Sequence, residues 1–305
     1  MGDLSTRPTH IRHQRLVRLA PALVAALFLA TGIAQSAAEN PIASPAQHEI
    51  TLPASGEMAI STVPAGREGL ELSALYTQNG SVLVDNIEWK ISDQDQALVY
   101  NKTASIAAVP LQPGEYHIQA VFGSAHLEEA ITLQPGTKIE MSFVMDAGAL
   151  RVLPRVKGID QFGLASSSKI FALSGIEKGK LVATSNTPGE VLNVAAGTYR
   201  IESKFSAGNA AAVTDVDVKA GYTTAVNIDL IAGLAKLNVA GNAERAVQWQ
   251  IIDDQGTFIP APIGINAEII LKPGHYIAEA KLGTQSLKTD FQIGAGQTSA
   301  INLIP

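Results

Sequence analysis

The 305-residue sequence contains no cysteine, and few of its residues are charged (16%) or aromatic (5%). The absence of cysteine excludes disulfide bonds, thiolate nucleophiles, cysteine-ligated zinc and a lipid anchor on cysteine. The 22 basic and 28 acidic residues give a net charge of −6, so we expect no nucleic-acid binding, which requires a basic surface. Hydrophobic residues make up 46% of the chain, which is enough to form buried cores.

The N-terminal segment of the chain has the three-part pattern of a secretory signal peptide. Four arginines and a single acid, Asp3, precede an apolar stretch over residues 19–33, and small residues follow at 34–38. The apolar stretch is shorter than the roughly 20 residues of a membrane-spanning helix. We predict a signal peptide over residues 1–38, cleaved after Ala38 or alternatively after Ser36. An uncleaved N-terminal anchor is the other interpretation.

The chain that remains after residue 38 has 18 basic and 27 acidic residues, and therefore a net charge of −9. It contains no other long apolar segment, so we predict no membrane span in the mature chain. Export of a protein without cysteine suits a bacterial cell, where an exported protein needs no disulfide. We therefore expect a periplasmic or extracellular bacterial protein.

One turn motif occurs three times in the mature chain, and each copy ends in a tyrosine. The motif reads Leu-Gln-Pro-Gly-Glu-Tyr, Val-Ala-Ala-Gly-Thr-Tyr and Leu-Lys-Pro-Gly-His-Tyr, and its tyrosines are Tyr116, Tyr199 and Tyr276. The second interval between these tyrosines is nearly as long as the first. Repetition at such a regular spacing indicates a tandem array of one structural unit.

Other landmarks keep the same spacing from these tyrosines. Trp89 and Trp249 lie at an identical distance before the tyrosine of their repeat, and the middle repeat has Phe171-Ala172 at that distance. A second glycine turn follows each tyrosine at a similar distance, at Gly136, Gly221 and Gly296. The repeat is therefore a whole module, of which the turn motif is one part.

Polar and apolar residues alternate inside each repeat, as they do in half-buried β-strands. The pattern places Tyr116, Ile118, Ala120 and Phe122 inward in the first repeat, and Tyr276, Ala278, Ala280 and Leu282 inward in the third. It places Glu279 and Lys281 outward. Glycine and proline separate the strands, and Asn79-Gly80 and Asp254-Gln-Gly256 are typical of hairpin turns.

The predicted fold is all-β, with three tandem immunoglobulin-like β-sandwich modules after the signal peptide. The modules are predicted over residues 67–146, 147–231 and 232–305. Residues 39–66 are predicted to be a leader with strands of a partial repeat, which either pack on the first module or offer an edge to a partner.

The combination of Trp-Lys-Ile-Ser-Asp at 89–93, or Trp-Gln-Ile-Ile-Asp at 249–253, with a Pro-Gly-x-Tyr turn and a glycine-preceded last strand resembles a known family. It is similar to the immunoglobulin-like or transthyretin-like repeats of bacterial envelope proteins, especially those that follow a von Willebrand A domain. The resemblance covers residues 67–305 and implies a spacer or binding module. The Asp-x-Ser-x-Ser metal motif of the von Willebrand A domain is absent, so the resemblance implies no metal-dependent adhesion.

The repeated aromatic residues have a structural and a functional interpretation. Each tyrosine is predicted to be a tyrosine corner, whose hydroxyl bonds to nearby backbone, with a ligand-binding ladder as the alternative. Trp89 and Trp249 are predicted to fill cores, with sugar-stacking platforms as the alternative.

No set of polar residues forms a catalytic, cofactor or metal motif, so we predict no site residues, no cofactor and no enzymatic activity. The four histidines of the mature chain lack metal-site spacing, and adjacent Glu128 and Glu129 would point to opposite faces of a strand. Acidic pairs at Asp215 and Asp217 and at 253–254 are predicted to be solvated surface, with calcium sites as the alternative.

These observations predict a non-enzymatic envelope protein that acts as a spacer, scaffold or protein-docking rod. The expected partner is another envelope protein, bound through strand edges, loop tips or the 45–66 segment. The alternative is a carbohydrate-binding module for peptidoglycan or exopolysaccharide, which would need exposed aromatic residues. Only 16 aromatic residues occur in the chain, so the alternative is less favoured.

Overall fold

The computed structural model describes residues 56–84, 87–160, 163–241 and 247–304. Within these ranges every regular element is a β-strand, and the 22 strands form three successive sandwich modules. The all-β, immunoglobulin-like fold predicted from the alternating pattern is confirmed. The predicted signal peptide and the leader up to residue 55 lie outside the described residues. No helix in the part of the chain that the structure describes is long and apolar enough to cross a membrane.

The first module consists of two four-stranded sheets. Its strands are β1 (Met58–Thr62), β2 (Gly69–Leu75), β3 (Ile87–Asp93), β4 (Leu98–Ala104), β5 (Ile106–Pro110), β6 (Gly114–Phe122), β7 (Ala125–Leu133) and β8 (Thr137–Val144). One sheet has the order β1-β8-β2-β5 and the other β4-β3-β6-β7. The first and last strands of the repeat, β2 and β8, pair in parallel, so the beginning and the end of the repeat lie side by side in one sheet.

The second module has the same plan with a smaller first sheet. Its strands are β9 (Ala147–Arg155), β10 (Ser166–Ala172), β11 (Leu181–Ser185), β12 (Val191–Ala195), β13 (Gly197–Phe205), β14 (Ala211–Val218) and β15 (Thr223–Asp229). The sheets have the orders β12-β9-β15 and β11-β10-β13-β14. As in the first module, the first and last strands of the repeat, β9 and β15, pair in parallel.

The third module repeats the arrangement of the second. Its strands are β16 (Gly233–Val239), β17 (Gln248–Asp253), β18 (Phe258–Ile259), β19 (Asn266–Leu271), β20 (Gly274–Leu282), β21 (Gln285–Ile293) and β22 (Thr298–Leu303). The sheets have the orders β19-β16-β22 and β18-β17-β20-β21, and β16 pairs in parallel with β22.

Each module encloses a cluster of buried apolar residues between its two sheets, and the cluster of the second module extends into the third through Ala232, Leu234 and Ile270. The side chains predicted to face inward on β6 and β20 are buried, which confirms the alternation. Glu279 lies on the outer face of β20, as predicted, but its side chain is buried there rather than exposed. It lies between Gln250 and Lys288 of the two flanking strands, and it accepts a hydrogen bond of 2.5 Å from Ser286 Oγ.

The two tryptophans have a counterpart in the middle module that sequence spacing did not identify. Trp89 pairs with Ala120, four residues after the corner tyrosine, and the pair at the same position of the middle module is Ser168 with Ser203. These two serines are buried, and their hydroxyls are 2.7 Å apart. The prediction of Phe171-Ala172 is therefore wrong, because the longer connection between β10 and β13 displaces the tryptophan position by four residues.

The strand β1 precedes the first repeat and extends its first sheet. It pairs antiparallel with β8 over five residues, from Met58 opposite Met141 to Thr62 opposite Thr137. The corresponding strands of the other modules, β15 and β22, have one strand neighbour each within the described residues. The first module is thus a four-plus-four sandwich, whereas the other two are three-plus-four.

Candidate interaction surface

Each module contains a tyrosine corner immediately after its turn motif. The hydroxyl of each tyrosine donates a hydrogen bond to the carbonyl oxygen four residues earlier: Tyr116 to Gln112 (2.7 Å), Tyr199 to Ala195 (2.5 Å) and Tyr276 to Lys272 (2.8 Å). Burial raises the pKa of all three hydroxyls, so they stay protonated and keep donating at neutral pH. The corner prediction is confirmed.

The corner of the second module also receives the hairpin tip of the first. Between β6 and β7 the chain turns at Gly123, and the next backbone N–H, that of Ser124, donates to the carbonyl oxygen of Asn193 on β12 (3.0 Å). The Ser124 side chain also lies close enough to the Tyr199 hydroxyl to lower its pKa, against the larger effect of burial, which raises it. One hairpin tip therefore contacts both an edge strand and a tyrosine corner of the following module.

The second and third modules meet in the same way, through the loop between β13 and β14. The Ile270 N–H of β19 donates to the carbonyl oxygen of Ala207 (3.2 Å). The Asn209 side chain accepts a bond from the Lys272 N–H (2.8 Å) and donates one to the Tyr276 hydroxyl (3.3 Å). Both junctions are therefore built from a hairpin tip, an edge strand and a corner tyrosine.

A glycine makes the close approach possible at each junction. A Cβ atom added to Gly123 would lie 1.9 Å from the Asn193 carbonyl oxygen, and one added to Gly208 would lie 1.8 Å from that of Ile270. Asn193 and Ile270 are equivalent, since each lies six residues before its corner tyrosine. Gly283 is the counterpart of Gly123 in the third module, and a Cβ there would meet nothing within 4 Å among the described residues.

These junction residues were not predicted from the sequence, although a signal for them exists. A glycine followed by a small polar residue occurs shortly after each corner tyrosine, as Gly-Ser at 123–124, Gly-Asn at 208–209 and Gly-Thr at 283–284. In one sequence this pattern is also that of an ordinary hairpin turn, because glycine supplies the positive φ that such turns need. Only the contact with the next module distinguishes a junction glycine from the glycine of an ordinary hairpin turn.

Tyr199, the corner tyrosine at the first junction, should contribute more to the free energy of unfolding than Tyr116, which has only its local bond. We expect Tyr199→Phe to lower the free energy of unfolding by about 1–2 kcal/mol, because it removes the bond to Ala195 and the hydroxyl group that Ser124 approaches across the junction. Tyr116→Phe is the matched control, since it removes the local bond to Gln112. Urea unfolding of both variants measures the difference. Equal losses would show that the Ser124 contact across the junction contributes nothing.

Glu68 connects the chain after β1 to the turn before β8. Its carboxylate accepts bonds from the backbone N–H groups of Gly66 (2.6 Å) and Gly136 (3.0 Å). Backbone N–H groups, first its own and then that of Gly136, hold the pKa of this carboxyl below its usual value, because they stabilise the charged form.

The lowered pKa of Glu68 predicts a stability difference that depends on pH. The folded-state pKa lies below the unfolded one, so the carboxylate stabilises the fold above the unfolded pKa of about 4.3 and loses this effect as the pH falls through the folded value. We expect Glu68→Gln to destabilise the protein at pH 7 and to have a smaller effect at pH 3, measured by urea unfolding. Glu115→Gln, at an exposed position, is the control. An effect of Glu68→Gln that is the same at both pH values would contradict this assignment.

The tryptophans, for which sugar-stacking platforms were the alternative interpretation, are not on the surface. Trp89 is 0% exposed and Trp249 is 5% exposed, which confirms that both fill cores. Their indole N–H groups donate to the carbonyl oxygens of Ala104 (3.0 Å) and Gly264 (2.8 Å), each fifteen residues further along the chain. Neither ring presents a face on which a sugar could stack.

Three of the four acidic residues considered for calcium have hydrogen-bond partners within the protein. Asp215 forms a bidentate ion pair with Arg200, with both N–O distances 2.9 Å, and Asp217 accepts a bond of 2.6 Å from the Thr198 hydroxyl. Asp253 accepts two backbone N–H bonds of its own turn. Among the described residues, no group of three or more histidine, aspartate or glutamate side chains could hold a metal ion. His48 lies outside them.

Comparison with known proteins gives one family match and several distant structural similarities. Residues 237–305, most of the third module, match the family described as the Rhizobiales growth-associated tandem repeat domain. No curated protein sequence matches the chain. The finer resemblance to repeats that follow von Willebrand A domains stays a prediction.

Similar solved structures include bacterial surface proteins. The Bacillus anthracis TIE protein is 16% identical over 78% of this chain and 50% of its own, with a TM-score of 0.24, so this chain spans half of its length. A minor pilin of Streptococcus agalactiae is 14% identical over 53% of this chain and 95% of its own (TM-score 0.30). A streptococcal ancillary pilin is 11% identical over 78% and 98% (TM-score 0.30). Similarity at this level assigns no function.

Proposed function

We propose that this protein is a non-enzymatic component of the bacterial cell envelope, periplasmic or extracellular, that spaces or docks other envelope proteins. The observation that carries the proposal is the repeated junction. Backbone hydrogen bonds, a side-chain bond to a corner tyrosine and a glycine at close approach hold each module directly to the next. Modules joined in this way keep a defined spacing between their ends, which is what a spacer or scaffold requires.

The chemistry of the surface supports a docking role over catalysis. The polar residues that sequence analysis singled out are used in turns, ion pairs and corners of the fold itself. A cleft that gathers a nucleophile, a base and an orienting group is the usual sign of an active site, and the named acids do not converge in this way. The predicted modules, 67–146, 147–231 and 232–305, are proposed as the units of the scaffold.

Carbohydrate binding has less support than protein docking. The tryptophans on which that alternative depended are buried in two cores. Sedimentation of the purified protein with isolated cell wall tests the alternative directly, and we expect the protein to remain in the supernatant. Co-sedimentation that survives saturation with unrelated protein would replace our proposal by glycan binding.

Crosslinking followed by mass spectrometry in the native cell tests the proposed function. We expect cross-links from the modules to a second envelope protein, and processing of the chain after Ala38 or Ser36. The matched control is a chain that lacks residues 1–38, which stays in the cytoplasm and should lose the same cross-links. Recovery of no envelope protein from the exported chain, under conditions that cross-link known envelope complexes, would contradict the proposal.

A further inference from the structure

The way that β1 binds to β8 shows what the last strand of a module can accept. The two strands pair antiparallel over five residues, and the ladder continues on both sides through the Val63 N–H to the Gly136 carbonyl (2.8 Å) and the Ser142 N–H to the Glu57 carbonyl (2.9 Å). Because β1 precedes the repeat, it is an added strand on an otherwise complete module. The outer edge of a last strand is therefore a functional strand-binding surface in one of the three modules.

Among the described residues, the same edge has no strand on it in the other two modules. Alignment on Gly136, Gly221 and Gly296 makes residues 222–226 and 297–301 the counterparts of the segment that β1 covers. In β22 the carbonyl of Leu303 accepts a bond from the Ala240 N–H, on the side of β16. Neighbouring residues of a strand alternate in direction, so the N–H groups of Ala300 and Asn302 point to the open side. The same alternation places the Ala225 N–H on the open side of β15.

Apart from β1, which is itself the added strand, the other sheet edges of the described modules have features that hinder strand addition. β5 ends at Pro110, β18 has two residues, and β4 and β11 pair with an irregular register. β7, β14 and β21 carry charged residues, and the hairpin tips of the preceding modules cover β12 and β19. The counterpart segments of β15 and β22, Tyr-Thr-Thr-Ala-Val and Gln-Thr-Ser-Ala-Ile, contain no charge and no proline.

Side-chain burial indicates that an added strand would bury further side-chain surface along the outer edges of β15 and β22. Under β1, Ile139 and Met141 are 3% and 2% exposed. At the open edges their counterparts Thr224, Val226 and Ser299 remain half-buried, whereas Ile301 is already buried. A strand that covered them would remove further surface from water in addition to forming main-chain bonds.

We propose that the outer edges of β15 and β22 are acceptor sites for an extended, uncharged segment of a protein partner, which adds antiparallel as β1 does on β8. This inference rests on the proposed docking function and specifies its binding mode. The partner segment would resemble Met-Ala-Ile-Ser-Thr of β1, with small or polar residues alternating with apolar ones. Main-chain bonds supply the affinity, and the alternation sets the register.

A synthetic peptide with the sequence of residues 58–63, which carries no charge and is blocked at both ends, tests the proposal on the purified chain. We expect amide shifts in β15 and β22 by NMR and binding of two peptides by calorimetry. In β1 the N–H groups of Ala59 and Ser61 face β8, in the same direction as that of Val63. N-methylation of these two positions should weaken binding at least about tenfold, whereas N-methylation of Ile60, which faces away, should not.

Variants of the protein test the same sites from the acceptor side. Ala225→Pro with Ala300→Pro removes one outward N–H from each edge and no bond to β9 or β16, so we expect a folded protein that no longer binds the peptide. Ala225→Ser with Ala300→Ser keeps the N–H groups and should bind as before. If the proline variant fails to fold, the methylated peptides decide the question alone.

Three results of the peptide experiments would overturn the proposal. These are the absence of shifts at millimolar peptide, equal binding of the two methylated peptides, and binding that the proline variant retains, which would indicate exchange with β1 on β8. Self-association of the chain that the proline variant abolishes would make a second copy the occupant and would also overturn it. Each experiment uses purified components, so failure here leaves the envelope crosslinking result unaffected.

Discussion

Replacement of Gly123 by alanine is expected to weaken the contact between the first and second modules without unfolding either. The added Cβ would lie 1.9 Å from the Asn193 carbonyl oxygen, so the hairpin tip must move away and lose the Ser124 bond. We expect a loss of about 1–3 kcal/mol from this steric conflict, typical of overpacked sites. Calorimetry should show a less cooperative transition, and limited proteolysis should cleave faster near residue 146.

The third module provides the control for this prediction. Gly283 has a φ of 67°, close to the 63° of Gly123, and an added Cβ meets nothing within 4 Å among the described residues. Gly283→Ala therefore carries the backbone strain of about 1 kcal/mol that alanine suffers at positive φ, without the steric conflict. Gly208→Ala should weaken the second junction as Gly123→Ala weakens the first. Equal effects of Gly123→Ala and Gly283→Ala would show that the junction contributes no stability.

Replacement of Trp89 by alanine is expected to lower the free energy of unfolding of the first module by about 3–5 kcal/mol. The ring is fully buried, it packs edge-on against Phe143 with ring centroids 5.4 Å apart, and its N–H bonds to Ala104. Removal leaves a large cavity and an unpaired carbonyl oxygen. Urea unfolding monitored by circular dichroism measures the loss, and the fluorescence of Trp249 reports on the third module separately.

The control for the tryptophan prediction is an aromatic residue on the surface. Phe258 is 65% exposed, and Phe258→Ala should change the unfolding free energy by less than about 0.5 kcal/mol. A loss below about 1 kcal/mol for Trp89→Ala would contradict the core assignment and reopen the sugar-platform interpretation. An unchanged transition for the third module in the Trp89→Ala variant would show that each core is stabilised locally.

The repeat itself was predictable because its landmarks are local. A tyrosine corner requires a turn, a tyrosine and a carbonyl oxygen four residues earlier, all within one short segment, so Tyr116 and Tyr276 could be assigned from their motifs alone. The inward and outward faces of β6 followed from alternation for the same reason. The outward position of Glu279 also followed from alternation, but its burial did not, because that burial depends on Lys288 and Ser286 of a neighbouring strand.

The middle module shows where spacing fails as a guide. Equal sequence distance from the corner tyrosine pointed to Phe171-Ala172, but the strand register puts the buried Ser168 and Ser203 at the tryptophan position. A longer connection moves a residue along the sequence without moving its place in the sheet. The number of residues between two landmarks therefore predicts a structural position only when the connection between them has the same length.

The amino-acid sequence alone determined the all-β class, the three repeats, the corner tyrosines and the buried tryptophans, because each depends on periodicity or on contacts between near neighbours in the chain. The tertiary structure decided how the modules join and which edges remain open. Those features depend on residues far apart in sequence, such as Gly123 against Asn193 and β1 against β8, which are brought together only when the sheets have formed.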